Sequence, residues 1–393
     1  MRTPRSPGGS TADGRLDVLV LNWRDLRHPR AGGAEVLTHG HASRLAERGH
    51  RVTMFVGAVP GAPPDERVDG VEIVRRGGPV TTRAHAVRWY RAQARAGRRF
   101  DVVVEEINTL PYFVGLAART RCLLWIHQLA REVWWHEAPR PLAPVGYGLE
   151  GAYLRLYRAT PAIVPSESTK RDLVALGFRG ERVAVVPPGI YPPGAESETE
   201  KEAGLLVYVG RVTPSKRVRH LLVALAAVRS AGIAARLEIV GRAAGGERES
   251  LAAYARELKV APYVGFRGYV GEAEKQDLLR RASLLVMASV REGWGLAVTE
   301  ANILGTPAVV YDRPGLRDST VHEQTGLVTG ADPASLAAGI VRALREPGLY
   351  DRLRDGALEW GRTFTWERAS VAFERALYDV AGGDHASGTP GGQ

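Results

Sequence analysis

Cysteine is nearly absent: Cys122 is the only one in 393 residues, so no internal disulfide can form. It sits in the apolar run CLLWI and reads as a small core residue. Histidine and cysteine do not cluster at metal-ligand spacing, and Asp-x-Asp occurs nowhere, so no metal site is expected. No apolar run approaches the roughly 18 residues that a membrane-spanning helix needs. The opening MRTPRSPGGSTADGR lacks the apolar stretch of a secretory signal, and we expect a disordered lead-in over residues 1–15 and a cytoplasmic protein.

Charge is unbalanced, with Lys+Arg 53 against Asp+Glu 43, a net of +10. Such a surplus favours polyanions, anionic lipid surfaces or phosphorylated substrates. Zinc-finger spacing, RNP-like aromatics and a basic zipper are all missing, so nucleic acid is not an expected partner and much of the arginine is assigned to solvated faces. A hydrophobic share of 45% with 24% charged residues belongs to a globular chain, and its length suggests two domains.

Short apolar runs alternate with helix-like segments. LDVLVLN (16–22), HRVTMFVGA, VEIVRR, DVVVEEIN (101–108), CLLWIHQ (122–128) and PAIVPSES (161–168) read as strands, with a helix over 34–48 that stops at Gly49. Residues 187–204 break the rhythm with prolines, glycines and an acidic cluster. It then restarts with LLVYVG (205–210), ARLEIVG (235–241), YVGFRGYV, LLVMAS (284–289) and PAVVYD (307–312), with helices between them and over 333–346 and 348–380. The expectation is an α/β chain of two Rossmann-like, doubly wound domains facing a central cleft. They span 16–188 and 205–360, joined by a hinge over 189–204. A C-terminal helix, 361–380, returns to the first domain, and a disordered tail fills 381–393.

Ligands in such sheets bind beyond the carboxyl ends of the strands. After LLVYVG comes GRVTPSK, where Gly210 permits a turn and Arg211 and Lys216 stand on a loop feeding a helix, a diphosphate-like anion site or simply a solvated loop. After LLVMAS comes REGWGLAVTE. In one continuous helix Glu292 and Glu300 would lie about 80° apart. Gly293 and Gly295 disfavour helix there, so a glycine turn followed by a helix from Leu296 or Ala297 is the better reading. The amides of Trp294, Gly295 and Leu296 are then free for phosphate oxygens. Glu300 by itself could be a helix-dipole partner.

GRVTPSK, VGFRGYV and EGWGLAVTEANILGTPAVV, with AGGAEVLTHGHASRLAERGHRVTMF in the first half, resemble the retaining GT-B glycosyltransferases of family 4, whose signature is the Glu-x7-Glu of Glu292 and Glu300. The resemblance spans about 16–380 and implies an enzyme that moves a sugar from a nucleoside diphosphate sugar, UDP favoured, to a hydroxyl or amine with retention. No cofactor and no metal are implied. On this resemblance Arg211 and Lys216 would hold the diphosphate, Glu300 the ribose and Glu292 the donor sugar. The amides of 293–296 would bind phosphate and sugar, and main chain near Arg267 and Tyr269 would face the base. Gly32 and Gly33 would admit the diphosphate closely, and His127 would lie beside the transferred sugar. Arg217, Ala297, Tyr191 and PGLRDST depart from the family's usual glycine, proline, aspartate and Gly-Gly-Glu pattern.

Acceptor residues are less defined. Candidates are Arg24 and Asp25, one of Glu105 and Glu106, with Asn108, and Arg131 and Trp134 in HQLAREVWWHEAP. Adjacent residues of a strand face opposite ways, so only one of the two glutamates can face the cleft. The basic stretch TTRAHAVRWYRAQARAGRRF is either a solvated helix or a contact with an anionic membrane that carries a lipid-linked acceptor, at the inner face. A dinucleotide oxidoreductase is excluded by the missing Gly-x-Gly-x-x-Gly after the first strand. A nucleotide-sugar epimerase or hydrolase on the same scaffold stays open as the alternative.

Overall fold

A computed structural model describes residues 14–382 apart from 109, 119, 193 and 195–199. Residues 1–13, the tail from 383 and much of the proline-rich hinge lie outside the described residues. Runs of valine, leucine and isoleucine that are buried on both faces build two sheets. The first contains β1 (Asp17–Leu21), β2 (Arg51–Val56), β3 (Asp65–Val68), β4 (Val71–Arg75), β5 (Val102–Glu106), β6 (Cys122–Trp125), β7 (Ala162–Val164) and β8 (Val183–Val185). The second contains β9 (Glu202–Val209), β10 (Arg236–Val240), β11 (Val264–Gly268), β12 (Ala282–Met287), β13 (Ala308–Tyr311) and β14 (Gly326–Thr329).

Strand order is β3-β4-β2-β1-β5-β6-β7-β8 in the first sheet and β11-β10-β9-β12-β13-β14 in the second. All pairs are parallel except β3–β4. Both orders run outward from a reversal, between β1 and β5 in one sheet and between β9 and β12 in the other. Such a switch point opens a crevice at the strand ends. The GRVTPSK loop after β9 and the REGWG loop after β12 therefore emerge side by side.

Three strands go beyond the sequence reading. β3 is a polar edge strand that turns into β4 through Asp69 and Gly70, both at positive φ (47° and 80°), the geometry of a tight hairpin. β8 and β14 have only three and four residues, too few for a periodic signal. The helical stretch 348–380 is two helices, Leu349–Arg362 and Trp366–Ala381, and Thr365 caps the second by accepting from the Arg368 amide at 3.3 Å.

Between these helices the chain crosses back to the first domain. Phe373 and Leu377 of the last helix join the core formed by Val18, Leu45 and Trp125. Trp366 lies where Gly40 and Gly189 have no side chain, since a Cβ on either would collide with it. Glu374 pairs with Arg48 at 2.6 Å and with His50 at 2.8 Å. No helix of the described residues is long and apolar enough to cross a membrane.

Candidate active site

The residues expected on the donor side come together at the β9/β12 switch point. Lys216 follows β9 on a short 3-10 turn, Pro214–Lys216, and its Nζ lies 2.6 Å from Glu292 Oε1. Ser289 Oγ donates to the same oxygen at 2.7 Å. An ammonium carries three donors, so Lys216 can keep Glu292 and still meet a phosphate. Arg211 is exposed on the same loop, and no carboxylate pairs with it among the described residues. The Gly210 amide donates to Val240 at 2.9 Å.

Gly295 adopts φ +93°, a left-handed turn that starts the helix Leu296–Asn302. Among the described residues no acceptor takes the amides of Gly293, Trp294, Gly295 or Leu296, as at any fresh helix start. The Trp294 ring itself is buried beside Ile190 and Phe364, so only its main chain faces this turn. Glu300 pairs with Lys275 at 3.0 Å. Burial lowers the lysine's pKa while Glu300 and Glu272 raise it, and the net shift is upward, which keeps it a cation. Arg267 projects outward to Glu238 at 2.8 Å. Tyr269 is largely exposed past the end of β11, with the Arg242 guanidinium 4.6 Å from its ring.

Facing this edge, β5 and β6 of the first domain present Glu106 and His127. Glu106 is buried, and its carboxylate accepts from Thr38 at 2.8 Å and Asn108 at 3.2 Å and holds His127 Nε2 at 3.0 Å. A carboxylate on one ring nitrogen sets the imidazole's orientation and leaves the other nitrogen for a ligand. Glu105 points the other way and is not an acceptor group. It is fully buried and takes the amides of Phe113 (3.1 Å) and Gly115 (2.5 Å) and the Tyr157 hydroxyl (2.8 Å). Burial outweighs these bonds and raises its pKa.

Asp25 is also turned inward, onto Arg75 Nε at 2.7 Å, because an inward arginine on β4 requires a counter-charge. Arg24 pairs with Glu35 at 2.8 Å and feels the charge of Arg211 across the cleft. Arg131 stacks on Tyr147, 4.5 Å from its ring, and Trp134 packs over Gly146, so both side chains serve the helix Ala143–Leu156.

The two edges touch. A Cβ on Gly293 would run into the His127 carbonyl oxygen, and one on Gly33 would come within 2.5 Å of Leu296 Cδ1. Gly33 thus makes room for the opposite domain, whereas Gly32 has space for a Cβ and gives its amide to Glu35 at 2.7 Å. Arg291, almost fully buried, binds Glu132 at 2.6 Å and Asp172 at 2.5 Å in the first domain. Glu137 accepts from Thr213 at 2.8 Å and from Ser215.

Residues 31–192 match the family model described as Glycosyltransferase Family 4, and residues 195–360 match Glycosyl transferases group 1. A D-inositol 3-phosphate glycosyltransferase of Actinosynnema mirum is 32% identical over 400 residues, covering 91% of this chain and 95% of the relative. The chain belongs to the family 4, group 1 glycosyltransferases. Against a glycosyltransferase of the same description from Streptomyces avermitilis it is 30% identical over 240 residues, 56% of this chain and about half (52%) of that relative.

Two solved structures share the GT-B architecture of this glycosyltransferase. Sucrose-phosphate synthase from Thermosynechococcus elongatus superposes with a TM-score of 0.78 at 22% identity, over 93% of this chain and 99% of that one. Anabaena HepE, solved in complex with UDP and glucose, gives 0.69 at 17% identity, over 93% and 100%. Sequence reasoning missed several groups of the glycosyltransferase's cleft: Thr38, Glu137, Lys275, Ser289 and Arg291. All but Ser289, whose partner Glu292 is three residues away, reach their partners only through the tertiary fold. A polar residue on the inner face of the 33–47 helix was the one available hint, for Thr38.

Proposed function

We propose that the protein transfers a sugar from a UDP-linked donor to a hydroxyl of a small polyhydroxylated acceptor, with retention at the anomeric carbon and no metal ion. The observation that carries this reading is the convergence of Lys216, Glu292, Arg211 and the unpaired amides of 293–296, opposite the Glu106–His127 pair. As the bond from the anomeric carbon to the phosphate breaks, negative charge grows on the leaving diphosphate. Fixed cations and amides stabilise that charge without reorganising. Glu292 receives donor-sugar hydroxyls, Glu300 the ribose, and His127, oriented by Glu106, lines the sugar's other side. In the retaining course the acceptor oxygen bonds to the face the phosphate leaves, and its proton passes to a phosphate oxygen.

UDP is supported by the ligand of HepE, and a cyclic polyol phosphate by the substrate for which the sequence relatives are named. The test is a thermal-shift screen against nucleoside diphosphates and their sugars, followed by product analysis with polyol, polyol-phosphate and sugar acceptors. UDP stabilises the protein, EDTA leaves turnover unchanged, and Lys216→Ala lowers turnover by on the order of 100- to 1000-fold with the fold intact. Near-full activity of that variant would remove the diphosphate role. Release of free sugar or a C2 epimer in place of an acceptor-linked product would overturn transfer in favour of hydrolysis or epimerisation.

A further inference from the structure

The helix Ala143–Leu156 buries Gly146, Glu150, Tyr153 and Leu154 and turns its other side to solvent. That outer side is apolar. Leu142, Val145, Leu149 and Leu156 are 56%, 54%, 56% and 63% exposed. Their spacing places them within about 60° of one another around the helix axis, one continuous stripe. The stretch 138–160 contains a single acid, Glu150, and it is buried, accepting the amides of Ala130 and Arg131 at 2.7 Å each. Arg155 and Arg158 are exposed beside the stripe.

The surface continues past the helix's end. Tyr157 lies against Phe113, with ring centres 6.1 Å apart, and Leu110, Phe113 and Leu116 are themselves exposed. Arg83 donates to the Leu110 carbonyl at 3.0 Å and so ties the helix Thr82–Arg95 to this segment. Arg88, Arg91 and Arg95 of that helix are exposed, no carboxylate pairs with them among the described residues, and no acid occurs between residues 73 and 100.

We infer that this face of the first domain docks on an anionic lipid bilayer. An exposed apolar stripe rimmed by arginines marks a site of interaction with a partner or a membrane. An amphipathic helix lying in the interface buries such a stripe in the acyl boundary, and flanking arginines meet lipid phosphates. Charge complementarity decides against a second copy of the chain. A two-fold contact would place arginines against arginines with no acid on the face to pair them. This inference stands independently of which sugar is transferred.

The test is co-sedimentation of the full chain with vesicles of phosphatidylcholine alone and of phosphatidylcholine mixed with phosphatidylglycerol. Binding is expected to the mixed vesicles and to weaken as salt rises. Val145→Glu combined with Leu149→Glu lowers partitioning at least tenfold while circular dichroism and turnover with a water-soluble acceptor stay unchanged. Arg88→Gln and Arg91→Gln each lower it about fivefold on the anionic vesicles only. Failure to bind the mixed vesicles, or a dimer in light scattering that the Val145/Leu149 pair of substitutions dissolves without any vesicle binding, would overturn the assignment.

Discussion

His41 is sealed among Trp125, Trp366 and Phe373, and burial, reinforced by the nearby charges of His127, Arg44 and Arg48, lowers its pKa from 6.5 to about 3. The folded protein holds this ring neutral while the unfolded chain protonates it below 6.5. Its contribution to stability is therefore complete above that pH and shrinks as pH falls toward 3, by up to about 1.4 kcal/mol per unit. His41→Leu is expected to flatten the acid limb in chemical-denaturation curves taken between those limits. A limb unchanged from that of the parent would assign the acid sensitivity elsewhere. The sequence offers no hint of this residue, since an apolar cage built from two distant segments, β6 and the last helix, leaves no local pattern. Which of Glu105 and Glu106 turns to the cleft, and that Asp25 turns inward, is hidden from the sequence for the same reason. The neighbours of Glu105 and Asp25, amides of the Phe113–Gly115 turn and an arginine on β4, come from other segments of the chain.

At the scale of elements, the loops after β9 and β12 hold the groups proposed for the donor, and both are seated against the 127–137 segment of the first domain. Gly293 shows how tight that seating is, because any side chain there meets main chain that cannot yield. Gly293→Ala is expected to lower kcat/KM by on the order of 100-fold, the usual cost of displacing a reacting group by about 1 Å, with thermal stability near that of the parent. Arg291→Met acts in the same direction. Together with Gly293→Ala it should cost less than the product of the two, because both loosen one seating. The longer buried strands and the Glu-x7-Glu loop were legible because each rests on a contiguous stretch whose periodicity and glycines speak for themselves, unlike the polar or very short β3, β8 and β14. Lys275 and Glu137 were not, because the strand order that brings Lys275 beside Glu300 and the packing of one domain on the other that brings Glu137 beside Ser215 are long-range properties.

Across the whole molecule, the two domains are sewn together at the back by the crossings at Ile190 and Phe364, where the Ile190 amide donates to the Phe364 carbonyl at 2.8 Å. Trp366 anchors the second crossing with its ring buried against Gly40 and Gly189. Trp366→Ala leaves a cavity there and is expected to destabilise the protein by about 3–5 kcal/mol in denaturant titrations. A loss under 1 kcal/mol would mean that the last helix holds its place without it. The general plan of two parallel sheets was readable from alternation alone, whereas the break at Thr363–Thr365 was not, since 348–380 is helix-like throughout.

The returning helix has a consequence for how the chain is made. Trp125, Leu45 and Val18 belong to strands and a helix that leave the ribosome early, yet the residues that cover them, Phe373 and Leu377, emerge only after the whole second domain. The first domain thus waits, with an apolar flank open, while the second is synthesised and folds. Whatever shields that flank in the interval sets the yield of native protein, and a chain stopped anywhere before residue 366 leaves it permanently bare.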